Sequence, residues 1–211
     1  MTCLNDLLDG YRRFRETGWK RERERWSELA EGQSPKVMVI ACSDSRVDPA
    51  QIFDARPGSV FVVRNVANLA PPYETSAGYH GVSAALEFAV TQLEVEEIVV
   101  LGHGSCGGCA AALTGQFDGA PSGQGRFIAD WVRMLSEPRD KVRGRYPQLN
   151  GEAFLEMELE AVRVSVANLR TFPWIAEREQ AGRLTIHGAH FSIAEGRLTL
   201  LDEAEETFRP A

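Results

Sequence analysis

Nowhere in this chain does an apolar run approach the ~20 residues that a membrane-crossing helix requires, so no membrane partner is expected. Positive charge is in short supply too. Lys and Arg number 23 against 30 Asp and Glu, and the net charge of −7 gives no overall field for nucleic acid or for an anionic membrane surface. Residues 1–10 lack the basic stretch followed by an apolar one that marks a secretory signal. Cysteine is sparse, at Cys3, Cys42, Cys106 and Cys109 alone. In a chain read as having no signal, so few cysteines suit metal ligation, catalysis or burial better than a disulfide framework. The expected compartment is the cytoplasm.

What is present is an ordinary globular composition, 44% hydrophobic and 25% charged, over a length that supports one domain, residues 1–211. Leu4, Leu7, Leu8, Tyr11 and Phe14, then Trp19, Trp26 and Leu29, recur near helical spacing. They predict a helical arm over residues 1–31, with helix from residue 4 and a break at Gly18. The mixed signs of residues 20–25 read as a solvated helix face rather than a nucleic-acid patch. The aromatic residues beside them are suited to packing on the body or on a second subunit.

Three continuous apolar runs follow, at 37–42, 59–65 and 97–103. Such runs suit strands buried on both faces of a parallel sheet. Helices are predicted at about 76–93, from near Cys106 through Leu113, and near 124–136 and 151–171, with a Gly- and Ser-rich loop at 115–125. Residues 183–188 and 197–202 predict two further strands, joined as a hairpin around Glu195-Gly196. The whole reads as an α/β fold. Its sheet is mostly parallel, of about five strands in the order 2-1-3-4-5 with the last antiparallel, and it is flanked by helices.

The third run opens into Gly102-His-Gly-Ser-Cys-Gly-Gly-Cys109. Gly102, Gly104 and Gly107 spell the G-x-G-x-x-G of a dinucleotide loop, in the right place after a strand. That reading also needs an acidic residue ending a second strand about 20 residues on. The region 114–119 is loop instead, and Asp118 is a weak ribose ligand. His103 and Cys106 inside the loop point to metal. Cys42 ends the first strand, His103 the third, and Cys106 opens a helix. In an open parallel sheet functional residues gather beyond the carboxyl ends of the strands, where strand order reverses, and these three can converge there if the first and third strands are neighbours. Cys–His–Cys supplies three zinc ligands and leaves a fourth position for water or substrate. Asp44 and Arg46, two residues apart, suit a carboxylate–guanidinium pair. Beside a metal, such a carboxylate accepts a hydrogen bond from metal-bound hydroxide. Cys106-x-x-Cys109 also matches a redox pair, but that leaves Cys42, His103 and the Asp–Arg pair without work. Cys109 reads as a small buried helix residue, Cys3 as an exposed thiol. His80, His187 and His190 read as structural or surface residues.

Cys42-Ser-Asp-Ser-Arg46 together with His103-Gly-Ser-Cys106-Gly-Gly108 resembles the signature of the β-class carbonic anhydrases. Val63-Arg-Asn-Val-Ala-Asn68, Pro71-Pro72 and Leu86-Glu-Phe-Ala-Val90 lie between and match as well. The resemblance spans roughly residues 26–202. It implies reversible hydration of CO2 to bicarbonate and a proton, with one zinc ion per subunit held by Cys42, His103 and Cys106. Zinc-bound hydroxide would attack CO2, oriented by the Asp44–Arg46 dyad. The pKa of about 7 for zinc-bound water is the known value for carbonic anhydrase, not one deduced from this chain. Gln33 matches a glutamine that donates to substrate, Phe61 and Val66 match an apolar CO2 pocket, and Phe88 and Gly107 complete the implied substrate site. The family forms dimers or larger assemblies with the site near the subunit interface, which makes the N-terminal arm an expected dimer contact.

Two departures from the family stand out. Phe88 occupies a position where plant-type members commonly carry tyrosine. Val39 stands three residues before Cys42, where some bacterial members carry a tryptophan that helps form an inhibitory bicarbonate pocket. Val39 therefore predicts the always-open form, with Asp44 held by Arg46 and water as the fourth ligand. Two alternatives keep the same zinc ligands: a hydrolase of CS2 or COS, and a zinc-bearing regulatory or binding module.

Overall fold

The computed structural model describes residues 2–211; Met1, the first residue of the expected arm, lies outside them. The arm begins with α1 (Leu4–Glu16), α2 (Gly18–Arg21) and α3 (Arg23–Glu31). The helix expected over this stretch is thus broken twice, at Thr17 and again at Glu22. The breaks let it fold back, and Phe14 meets Trp26 edge-on at 5.7 Å. Among the described residues, these three helices bury none of their own.

The body follows as β1 (Val37–Cys42), α4 (Pro49–Ile52), β2 (Val60–Asn65), α5 (Gly81–Glu87), β3 (Glu97–His103) and α6 (Gly107–Thr114). Then come α7 (Arg126–Val132), α8 (Ser136–Arg145), α9 (Gly151–Leu169) and α10 (Pro173–Gln180). The chain closes with β4 (Thr185–Ser192), β5 (Arg197–Asp202) and β6 (Thr207–Pro210). The central helix starts five residues later than the spacing predicts and ends in a π turn at Phe88–Gln92.

Among the described residues the sheet has six strands in the order β2-β1-β3-β4-β5-β6. The first four run parallel, and β5 and β6 each run antiparallel to their predecessor. The expected count of five is corrected by β6. That strand is four residues long, follows an acidic turn and ends in Pro210, so it carries no alternating apolar signal. Proline is tolerated there because the strand lies at the edge.

Burial follows the pleat. Met38, Ile40, Ile98, Val100 and Ile186 face one side and pack under α5, α9 and α10. Val39, Ala41, Leu101 and Ala189 face the other. Helix α9 crosses β3 and β4 closely, because two glycines lie under Val162. A Cβ on Gly102 would sit 2.6 Å from Val162 Cγ2, and one on Gly188 2.9 Å from Val162 Cγ1. Among the described residues no helix is long and apolar enough to cross a membrane.

Candidate metal centre

Parallel pairing puts the carboxyl ends of β1, β2 and β3 at one edge of the sheet, with Cys42 level with Asn65 in register. Cys42 and His103 are the last residues of their strands, and Cys106 is the N-cap of α6. Their ligand atoms lie within 4.8 Å of one another, and all three residues are buried. The two sulfurs are 3.9 Å apart. Tetrahedral bonds of about 2.3 Å to zinc would set them about 3.8 Å apart, so the pair is already at ligand spacing. His103 Nδ1 lies 2.9 Å from the Gly104 carbonyl, to which it donates. Its Nε2 is then the acceptor nitrogen, and it is buried without a hydrogen-bond partner. A buried imidazole lone pair beside two sulfurs is the donor set of a zinc site, and three protein donors is the number of a catalytic one.

Without a cation the sulfurs hold their protons. Cys42 is pushed up to about 12, first by its hydrogen bond with Cys106 and then by burial. Cys106 is pushed up to about 12, first by the Cys109 thiol, with burial adding to it. Burial weakens His103 as a base, but Cys42 beside it more than offsets this and leaves its pKa raised.

Asp44 and Arg46 meet side-on. Asp44 Oδ1 accepts from Arg46 Nε at 2.9 Å and from the Arg46 backbone N–H at 3.0 Å, and Oδ2 accepts from Nη2 at 2.7 Å. Those bonds, above all the guanidinium ones, hold the Asp44 carboxyl well below the usual carboxylate range. Arg46 Nη2 also donates to the Ser105 carbonyl at 3.0 Å, tying the pair to the loop that carries His103 and Cys106.

The expected substrate residues divide into two groups. Val66 lies beside the helix start, where a Cβ on Gly108 would come within 2.7 Å of Val66 Cγ1. Gly107 is the first residue of α6 and is exposed. Phe61 pairs in register with Met38, four residues before the Cys42–Asn65 pair. At about 3.3 Å per residue that is ~13 Å back along the strand. Phe88 stacks on Phe61 at 5.9 Å and is 45% exposed. Gln33 is exposed between α3 and β1. Gln33, Phe61 and Phe88 therefore do not join Val66 at the metal cluster of their own chain.

Three residues of the site carry no signal in spacing. Arg64 donates to the Cys42 carbonyl at 2.8 Å and to the Asp44 carbonyl at 2.6 Å, clamping the backbone between ligand and dyad. Glu158 on α9 accepts from the Cys106 N–H at 3.0 Å and faces His190 at 3.2 Å. His190, read from sequence as structural or surface, is structural and buried. The partners of Arg64 and Glu158 include backbone groups far along the chain, which no local pattern reports. Arg64 lies within a stretch that matches the family, and that was its only trace in sequence.

An α/β sheet carrying Cys–His–Cys and an Asp–Arg pair at the carboxyl ends of parallel strands is a group that could hold a metal ion with one position left open. Comparison with known proteins gives the same class. Residues 37–198 match the family model described as carbonic anhydrase. Beta carbonic anhydrase 3 of Arabidopsis thaliana is 35% identical over 201 residues, covering 95% of this chain and 77% of that one. The solved β-carbonic anhydrase CcaA is 31% identical over 99% of both chains, with a TM-score of 0.91. A structure from work on two tetrameric β-carbonic anhydrases of Sordaria macrospora is 29% identical over 93% of this chain and 95% of that one, with a TM-score of 0.77. The chain belongs to the β-class carbonic anhydrases.

Proposed function

We propose that this chain hydrates CO2 reversibly to bicarbonate and a proton at one zinc ion per subunit, held by Cys42, His103 and Cys106. The observation that carries the reading is the buried, unpartnered Nε2 of His103 beside two sulfurs at ligand spacing. Zinc, when bound, supplies a water acidic enough to act as nucleophile near neutral pH, with the pKa of about 7 known for carbonic anhydrase. Asp44 accepts a hydrogen bond from the attacking water and orients it. Arg46 occupies both Asp44 oxygens on its side and keeps the carboxylate charged and still. Val39 is apolar and buried in β1, so no polar group there holds an inhibitory anion. Asp44 accordingly stays with Arg46.

Substrate needs an apolar wall, because CO2 has no net charge or dipole, and a donor for the oxygen that becomes negative. Val66 and the Gly107 N–H serve from the same chain. Gln33, Phe61 and Phe88 serve a neighbouring copy: they are remote from their own metal cluster, and Gln33 and Phe88 are exposed. The tetrameric state described for the Sordaria macrospora enzymes supports an assembly of this kind. Cys42→Ser and His103→Ala test the reading. Each is expected to lose bound zinc, measured by elemental analysis, together with CO2 hydration. Full hydration activity in either variant without zinc would refute it.

A further inference from the structure

We infer that Glu158 is a positioning residue for the metal centre, which fixes Cys106 through its backbone N–H and thereby sets zinc affinity and ligand geometry. The inference rests on the zinc reading above.

The turn between His103 and α6 is held residue by residue. Ser105 sits at φ 57, in the left-handed region that residues with a Cβ rarely adopt. Such a conformation persists only where its surroundings over-determine it. Three bonds from three directions do so. The Gly104 N–H donates to the Phe191 carbonyl on β4 at 2.9 Å. The Ser105 carbonyl accepts from Arg46 at 3.0 Å. The Cys106 N–H donates to Glu158 Oε1 on α9 at 3.0 Å. Of these, the Glu158 bond alone is made to a residue of the ligand set itself.

Glu158 is chemically out of place unless it has this work. Its side chain is 5% exposed, and so is that of His190, whose Nε2 lies 3.2 Å from Glu158 Oε2. A buried carboxyl group is costly unless each oxygen is satisfied. Here one oxygen takes the amide of a ligand. The other takes a histidine on β4, paired in register with Gly102, the residue before ligand His103. One side chain therefore links the Cys106 turn to the strand beside His103. The Cys106 side chain makes no capping bond to α6, so this N-cap is fixed from outside the helix.

A plain core pair would stabilise the fold and leave the metal unaffected, and the test separates the two. Zinc affinity is measured by chelator competition, and ligand geometry by the absorption bands of the cobalt-substituted protein. The proteins are wild type, Glu158→Ala, Glu158→Gln and Val166→Ala, the last a cavity on the same helix within the other core cluster. Glu158→Ala is expected to weaken zinc binding about 10- to 100-fold and to shift the cobalt bands. Glu158→Gln keeps an oxygen for the Cys106 N–H and is expected to stay near wild type in both. Val166→Ala is expected to lower Tm alone. If the alanine variant does not fold, Glu158→Asp, one methylene too short, carries the same expectation. Wild-type affinity and bands in Glu158→Ala or its aspartate substitute would overturn the inference, as would equal weakening by Val166→Ala. Failure of wild type to bind zinc would instead overturn the zinc reading.

Discussion

Asp44 has two oxygens and both are engaged by Arg46, which fixes what its removal should do. Asp44→Asn is expected to retain zinc while turnover falls about 10- to 100-fold, checked by metal content and CO2 hydration rate. Full turnover in that variant would remove Asp44 from the reaction. The Arg46 bonds also decide its pH behaviour. The folded carboxyl lies below its ordinary value, so its stabilising contribution is complete above that ordinary range and is lost only as pH falls through the depressed value. Asp44 therefore stays charged through mildly acidic solution. The thiols run the other way. Cys42 and Cys106 are each pushed up to about 12, so both are protonated near neutral pH until metal displaces the protons. Zinc affinity should rise with pH, with one proton released from each thiol on binding. Calorimetry in buffers of different ionisation enthalpy reads that release; no proton release near neutral pH would contradict it. At this scale the sequence was legible where a side chain does chemistry on its neighbours in the motif. Asp44 and Arg46 were read from adjacency alone. Arg64 and Glu158 were not, because each reaches across the fold to main-chain groups.

Loop and strand elements set the approach of these residues, and two adjacent glycines show how. A Cβ on Gly108 would lie 2.7 Å from Val66 and 3.0 Å from Ala67, whereas one on Gly107 meets nothing within 4 Å. Gly108→Ala should lower stability by about 1–3 kcal/mol through overpacking, while Gly107→Ala should leave it nearly unchanged. Denaturant unfolding of the pair checks this, and equal effects would contradict it. Of the three glycines of the G-x-G-x-x-G pattern, close packing thus accounts for Gly102 against Val162; Gly108, just beyond the pattern, packs as tightly against Val66, and the left-handed position falls on Ser105. The parallel strands were legible as continuous apolar runs, because burial on both faces leaves no polar alternation. β6 was not, since an edge strand of four residues needs no such run. The arm's second break at Glu22 was also illegible, because nothing in the mixed-charge stretch interrupts helical spacing.

At the scale of the whole molecule, exposed apolar surface concentrates on the arm. Leu4, Leu7, Leu8, Tyr11 and Phe14 are between 41% and 70% exposed along one stripe of α1. A stripe of that width is ordinarily buried against something. With Gln33 and Phe88 also exposed, the assembly proposed above would cover all of them with a second copy. Leu4→Asp combined with Leu7→Asp is expected to lower the mass seen by light scattering and to reduce hydration activity with it. An unchanged mass would show that the arm is not the contact. The sequence placed this apolar stripe through its spacing, but the distance between Phe61 and its own metal cluster needed the strand register. The proposed chemistry is zinc-dependent CO2 hydration at an open site. The CO2 hydration rate of the purified protein across mildly acidic to mildly alkaline pH, beside a chelated sample, decides it. Activity is expected to disappear on chelation and to decline only gradually toward acid. Activity confined to alkaline pH would contradict the open site, and none at any pH with zinc bound would contradict the function.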